Sequence, residues 1–200
     1  MIWFSSDHHF FHNNVIRYCD RPFTSVEQMN EAMVIGWNMT VHPDDTVYYL
    51  GDFSMAARPV ETFTPRLLGT KHLIHGNHDF THPYHKKSRT PENQAKWIEF
   101  YKNCGWASVQ DELIIEHEGQ KFRLAHLPYT NDLFHGQGDK YKNFRPEDDC
   151  TPLLCGHVHE KWTTERSGNN TLMINVGVDR HGFAPISINQ VMKILKQSGG

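Results

Sequence analysis

A chain of 200 residues with 38% hydrophobic and 22% charged side chains is long enough to enclose a core and short enough to do so once. A formal net charge of -3 excludes a broad basic footprint for duplex nucleic acid or an anionic membrane, and no run approaches the roughly 18 apolar residues of a spanning helix. The opening MIWFSSDHH lacks the cationic and apolar segments of a signal peptide, so the expectation is one cytoplasmic domain over residues 1–200. Cys19, Cys104, Cys150 and Cys155 form no C-x-x-C pair, which leaves neither a zinc knuckle nor a disulfide framework. Fifteen histidines, several of them clustered, invite a metal hypothesis instead, because neutral imidazole is the commonest protein metal ligand.

In chain order, residues 2–6 (IWFSS) and 46–50 (TVYYL) read as short strands, each running directly into an acid, in DHH and GD. Between them Val26, Met29, Met33 and Trp37 recur at helical spacing, with Ser25 and Gln28 spaced as a capping box. A third strand, KHLIH at 71–75, ends in GNHD, and 91–104 reads as a helix with Pro91 at its start and Gly105 past its end. Beyond it, ELIIEHEGQKFRLAH predicts two strands about a His-Glu-Gly turn, and TPLLCGHVH, WTTER and TLMINVGV predict more. The polar stretch 128–150 exceeds ordinary loop length and is expected to be functional or mobile.

Five polar blocks each follow an apolar run: SDHH at 6–9, GD at 51–52, GNHD at 76–79, AH at 125–126 and GHVH at 156–159. In an α/β sheet the carboxyl ends of neighbouring strands meet in one crevice, so residues far apart in sequence can share a site there. Taken singly, each block has a bland reading as a turn or a satisfied polar residue; their joint occurrence after strands does not.

Together the blocks D-x-H, G-D, G-N-H-D, H and G-H-x-H resemble the signature of the calcineurin-like metallophosphoesterase superfamily, over residues 7 to 159. The stretches SDHHFFHNNVIRYCDRPF and NVGVDRHGFAPIS also resemble small bacterial and phage-type members, which implies a single domain without a separate cap. The resemblance implies an α/β fold, a four-layer αββα sandwich with a binuclear centre between its sheets. It implies one metal held by Asp7, His9 and His159, a second held by Asn77, His126 and His157, and Asp52 bridging the two. His78 is then the candidate to assist the leaving group, with Asp79 orienting its ring, and the activity implied is hydrolysis of a phosphodiester or phosphomonoester by metal-activated hydroxide. Imidazole, carboxylate and amide ligands without thiolate fit two divalent ions among Mn, Fe, Zn, Co and Ni.

Substrate signals are thinner. His12 and Arg17 are candidates to reach substrate phosphate, as are basic residues in 80–89 and 140–145, and Phe10, Phe11, Tyr129, Phe134 and Tyr141 are candidates to stack a base. A small phosphate ester, preferably nucleotide-like, is the expected partner, with no membrane and no stable duplex nucleic acid. The competing reading is a catalytically silent scaffold of the same fold that binds a protein. His8, one residue out of step with Asp7 and His9, is expected to face away from the metals.

Overall fold

The structure, a computed structural model, describes residues 1–130 and 139–199. The three apolar runs of the first half become β1 (Ile2–Ser5), β2 (Thr46–Tyr49) and β3 (Thr70–Ile74), paired in parallel with Phe4 opposite Tyr48 and Tyr49 opposite Leu73. Two strands that the sequence pattern does not announce complete this sheet. They are β4 (Trp106–Gln110), parallel to β3, and β10 (Ile186–Ser187), antiparallel to β1.

The second half forms a second five-stranded sheet from β5 (Leu113–His117), β6 (Gln120–Leu124), β7 (Leu153–Cys155), β8 (Thr164–Arg166) and β9 (Leu172–Asn175), in the order β5-β6-β7-β9-β8. The β5–β6 hairpin turns on Glu118 and Gly119, whose φ values of 50° and 78° supply the left-handed pair that matches strand twist in a two-residue connection. β6, β7 and β9 run parallel, so this sheet also gathers carboxyl ends on one side.

Helices α1 (Asn13–Tyr18), α2 (Val26–Thr40), α3 (Ala57–Phe63) and α4 (Pro91–Asn103) pack on one face of the first sheet. There Met29, Met33 and Trp37 of α2 meet Val47, Tyr49 and Leu73 in one buried cluster. Strand alternation sends Phe4, Leu50 and Ile74 the other way, against Phe122, Leu124, Leu154 and Ile174 of the second sheet. Each such side chain contributes roughly 1.5–3 kcal/mol by leaving water. The last helix, α5 (Ile188–Gln197), adds Ile188, Val191 and Leu195 to this inter-sheet core and starts from a complete capping box of Ser187 and Gln190. The expected α/β fold, two mixed sheets face to face with flanking helices, is the one observed.

At α2 the Ser25 hydroxyl accepts from the Gln28 N–H, as the spacing predicts, but the Gln28 side chain reaches past Ser25 to accept from Thr24. The cap is therefore half of the expected box. No helix among the described residues is long and apolar enough to cross a membrane.

Candidate metal centre

β1, β2 and β3 of one sheet and β6 and β7 of the other all end at the same place, and the five polar blocks are the first turns beyond those ends. The turns lock onto each other through the backbone: Asp7 N–H donates to Gly51 O, His9 N–H to Asp52 O, and Gly156 N–H to His126 O. The approach between blocks is close enough to demand glycine. At Gly51, with φ +88°, a Cβ would lie 2.7 Å from His126 Nδ1. At Gly156 a Cβ would lie 2.5 Å from the Asp7 carboxylate.

Two groups of ligand-type side chains result. Asp7, His9 and His159 bring their donor atoms within 4.8 Å of one another, and Asp52, His126 and His157 do the same. Asn77 stands beside the second group, its Oδ1 3.2 Å from His126 Nε2. Asp52 stands between the groups: its Oδ2 is 3.6 Å from His9 Nε2 and 3.4 Å from His126 Nε2.

Asp7 and His9 do not converge through the two-residue repeat of a strand. Both lie past the end of β1 at φ 61° and 50°, and His157 and His159 at φ 72° and 50° likewise converge from left-handed backbone. Five of the six residues in the two groups, all but His126, have positive φ. Such conformations cost of order 1–3 kcal/mol each away from glycine and persist only where the surroundings enforce them. Backbone strain is thus concentrated where the ligand-type side chains converge.

Burial and neighbouring charges act differently on each donor. Burial pushes the Asp7 carboxyl up, although His159 and His126 pull it down, and it accepts hydrogen bonds from the Ser6 hydroxyl at 2.6 Å and the His157 N–H at 3.0 Å. Burial opposes ionisation of Asp52 too, yet the imidazoles of His126 and His78 hold it well below the usual carboxylate range. Burial drives His9 and His157 well below the usual imidazole range, so both are neutral, the state in which imidazole ligates. His9 is 2% exposed, and both its ring nitrogens are buried without a hydrogen-bond partner among the described residues. A buried polar atom costs free energy unless something meets it, and a divalent ion at His9 would do so. The donor set fits the expected binuclear centre.

The remaining candidates divide. His78 donates its backbone N–H to Asp52 Oδ1 at 2.9 Å, its Nε2 lies 3.9 Å from Asp52 Oδ2, and its side chain is 40% exposed. Asp79 departs from the ring-orienting role expected of it. Its two oxygens accept from the N–H groups of Gly76, Asp52 and Phe53, so it clamps the GD turn to the GNHD turn. Burial, followed by the Asp52 charge, lifts its carboxyl to about 7. His12 precedes α1 with its ring 5.6 Å from that of His9, close to the site. Arg17 is exposed on α1 with its guanidinium 5.5 Å from the Tyr18 ring centre, and the described residues give it no hydrogen bond or ion pair to the site.

His8 faces away as expected, but into an aromatic core: it is fully buried, stacks on Phe10 and contacts the Tyr49 hydroxyl at 2.9 Å. Phe10 is likewise core, whereas Tyr141 sets its ring edge-on to His157 at 5.4 Å. Phe134 lies outside the described residues. Arg145 forms a fork with Asp139, and Lys87 sits 4.1 Å over the Phe80 ring, so both make contacts within the fold. A cavity of about 350 Å³ opens beside the second group, walled by His75, His82, Asp111, His126, Phe144 and Arg145.

Two site residues escape motif reading altogether. Arg21, in YCDRPF, and Asp179, in VGVDRHG, meet in a buried ion pair with Nε to Oδ1 at 2.7 Å and Nη2 to Oδ2 at 2.8 Å. The only signal available was that both stretches resemble small family members.

Two facing mixed sheets carrying paired His/carboxylate groups at their converging strand ends are the architecture of a metallophosphoesterase. The chain belongs to the calcineurin-like phosphoesterase superfamily, whose domain model matches residues 2–185. It is 28% identical to an uncharacterised protein of Methanocaldococcus jannaschii over 98% of this chain and 92% of that protein. It is 29% identical to the gene 66 protein of Mycobacterium phage L5 over 90% of this chain and 87% of that protein. Among solved structures, a protein of unknown function from Aquifex aeolicus superposes with a TM-score of 0.67 at 26% identity, covering 97% of this chain and 98% of that one.

Proposed function

We propose that the protein is a binuclear-metal phosphoesterase acting on a small phosphodiester, nucleotide-like in kind, or on a phosphomonoester. The observation that carries this reading is Asp52, a buried carboxylate whose one oxygen lies within 3.6 Å of an imidazole from each ligand group. In this reading Asp7, His9 and His159 would hold one divalent ion and Asn77, His126 and His157 the other, with the Asp52 carboxylate available to both. Bound ions of this kind lower the pKa of water and offset charge on phosphoryl oxygens.

The chain's own residues do the rest. Asp79 keeps the GD and GNHD turns in register, which holds the Asp52 carboxylate between the two groups. His78, solvent-accessible at the edge of the site and anchored through its backbone to Asp52, supplies a proton from Nε2 to the departing alkoxide. The His12 ring lies against His9 of one group and the Tyr141 ring against His157 of the other, where they would contact the ester. The adjoining cavity has room for its organic part. Arg17, exposed on α1 beside Tyr18, takes no part.

Protein stripped of metal and reloaded with Mn²⁺ is expected to hydrolyse a bis-aryl phosphate and to lose that activity to a chelator. No turnover of aryl mono- or diesters after loading with Mn²⁺, Fe²⁺ or Zn²⁺ would reject the reading. A screen of cyclic nucleotides, dinucleotides, nucleotide monophosphates and sugar phosphates would then separate the substrate classes.

A further inference from the structure

Arg21 and Asp179 lie 158 positions apart and are both removed from solvent, with side-chain exposures of 0% and 2%. A buried ion pair is weak evidence for stability, since the desolvation of two charges offsets most of their attraction. Its geometry is the more informative feature. Beyond the two bonds to Asp179, the guanidinium donates to Asp7 O at 2.7 Å and to His8 O at 3.0 Å, so one cation holds the backbone on which Asp7 and His9 are mounted. On the far side of the pair, Asp179 Oδ2 lies 3.0 Å from His159 Nδ1. Arg21 thereby ties the first-half and second-half members of one ligand group to a single rigid fork.

We infer that Arg21 and Asp179 are positioning residues that hold His159 as the Nδ1–H tautomer, leave Nε2 for the Asp7–His9 group, and so set the affinity of that one metal position. The inference rests on the metal-centre reading above. Imidazole ligands are commonly fixed in this manner by a carboxylate on the other ring nitrogen, and loss of such a partner typically weakens metal binding 10–100-fold. Burial opposes the charge on Asp179, but hydrogen bonds from His159 and Arg21 outweigh it and keep the carboxyl below its ordinary value.

Cys19 also comes within 4.8 Å of His159 and Asp179, a trio that has the composition of a third ion site. Both Asp179 oxygens already accept from Arg21, so an ion there would face a guanidinium across the same carboxylate.

The test is calorimetric titration of Mn²⁺ into the metal-stripped full chain, with folding checked by circular dichroism and thermal melting. Wild-type protein should bind two ions. In Asp179→Asn, one of the two should weaken by about 10–100-fold while the other is unchanged. The visible spectrum of the Co²⁺-loaded protein should change in parallel. Arg21→Lys, which keeps the charge and loses the fork, should fall between the two. In a His159→Ala background, adding Asp179→Asn should cause no further loss of binding. Two wild-type sites that persist at full affinity in folded Asp179→Asn, or losses that simply add in the double variant, would overturn the positioning role alone. Failure of wild-type protein to bind Mn²⁺, Zn²⁺ or Fe²⁺ would overturn the metal reading and this inference with it.

Discussion

His159 and His126 occupy equivalent places in the two ligand groups, yet they are held by different means. His159 rests its Nδ1 on the side chain of Asp179, itself gripped by Arg21; His126 rests its Nδ1 on a backbone carbonyl, Leu50 O, at 2.7 Å. One support is built from residues that substitution can remove singly. The other is part of the chain path at the end of β2, and only a change in that path can disturb it. The two groups should therefore respond to different substitutions, although they meet at Asp52.

The largest effect is expected where the distinction vanishes. Asp52→Ala removes the carboxylate between the groups, and kcat for a bis-aryl phosphate should fall by at least about 10³-fold, with elemental analysis showing loss of metal. Activity kept at the wild-type level by reloaded Asp52→Ala protein would defeat the two-metal assignment. Next, Gly51→Ala attacks the backbone-supported group. The new methyl would press on the Gly76 backbone and on His126 Nδ1, in a conformation with φ +88°. Melting should show a destabilisation of about 1–3 kcal/mol, and the ion of the Asp52 group should be lost first. Equal weakening of both ions would erase the proposed difference in support.

His78→Ala leaves both groups in place and isolates the chemistry. Bound metal should stay at the wild-type amount while kcat falls about 10²-fold, more for poor leaving groups than for good ones. The smallest effect concerns pH. Burial, reinforced by the charges of His75 and His126, lowers His82 to about 3. The folded chain therefore refuses a proton that the unfolded chain accepts near 6.5. Stability owed to this group is intact above that pH and declines as pH falls toward 3, by at most about 1.4 kcal/mol per pH unit. Denaturant midpoints at pH 7 and pH 5 should differ less for His82→Asn than for wild type, and an identical difference would remove His82 from the account.

Much of this was legible before any coordinates. Short apolar runs ending in Asp7, Asp52 and Asn77 marked the strand ends, and the order of the five blocks pointed to one shared crevice. Thr90 and Pro91 start α4, and Glu118-Gly119 turns the β5–β6 hairpin, as local chemistry predicts. What stayed hidden was tertiary. A lone arginine at 21 and a lone aspartate at 179 carry no periodicity, and each alone reads as a solvated charge. Asp79 looked like the partner of the adjacent His78, but three backbone N–H groups claim its oxygens. The start of α5 is local, in the capping box of Ser187 and Gln190 and the apolar series Ile188, Val191 and Leu195. Left-handed backbone at Asp7 and His9 could not be read either, since these residue types permit that conformation without demanding it.

The central claim is that one carboxylate, Asp52, joins two metal positions. Anomalous diffraction at the manganese edge, from crystals of the full chain soaked in Mn²⁺, tests it most directly. Two peaks are expected, one beside Asp7, His9 and His159 and one beside Asn77, His126 and His157, with the Asp52 carboxylate between them. A single peak, or two ions of which neither contacts Asp52, would contradict it.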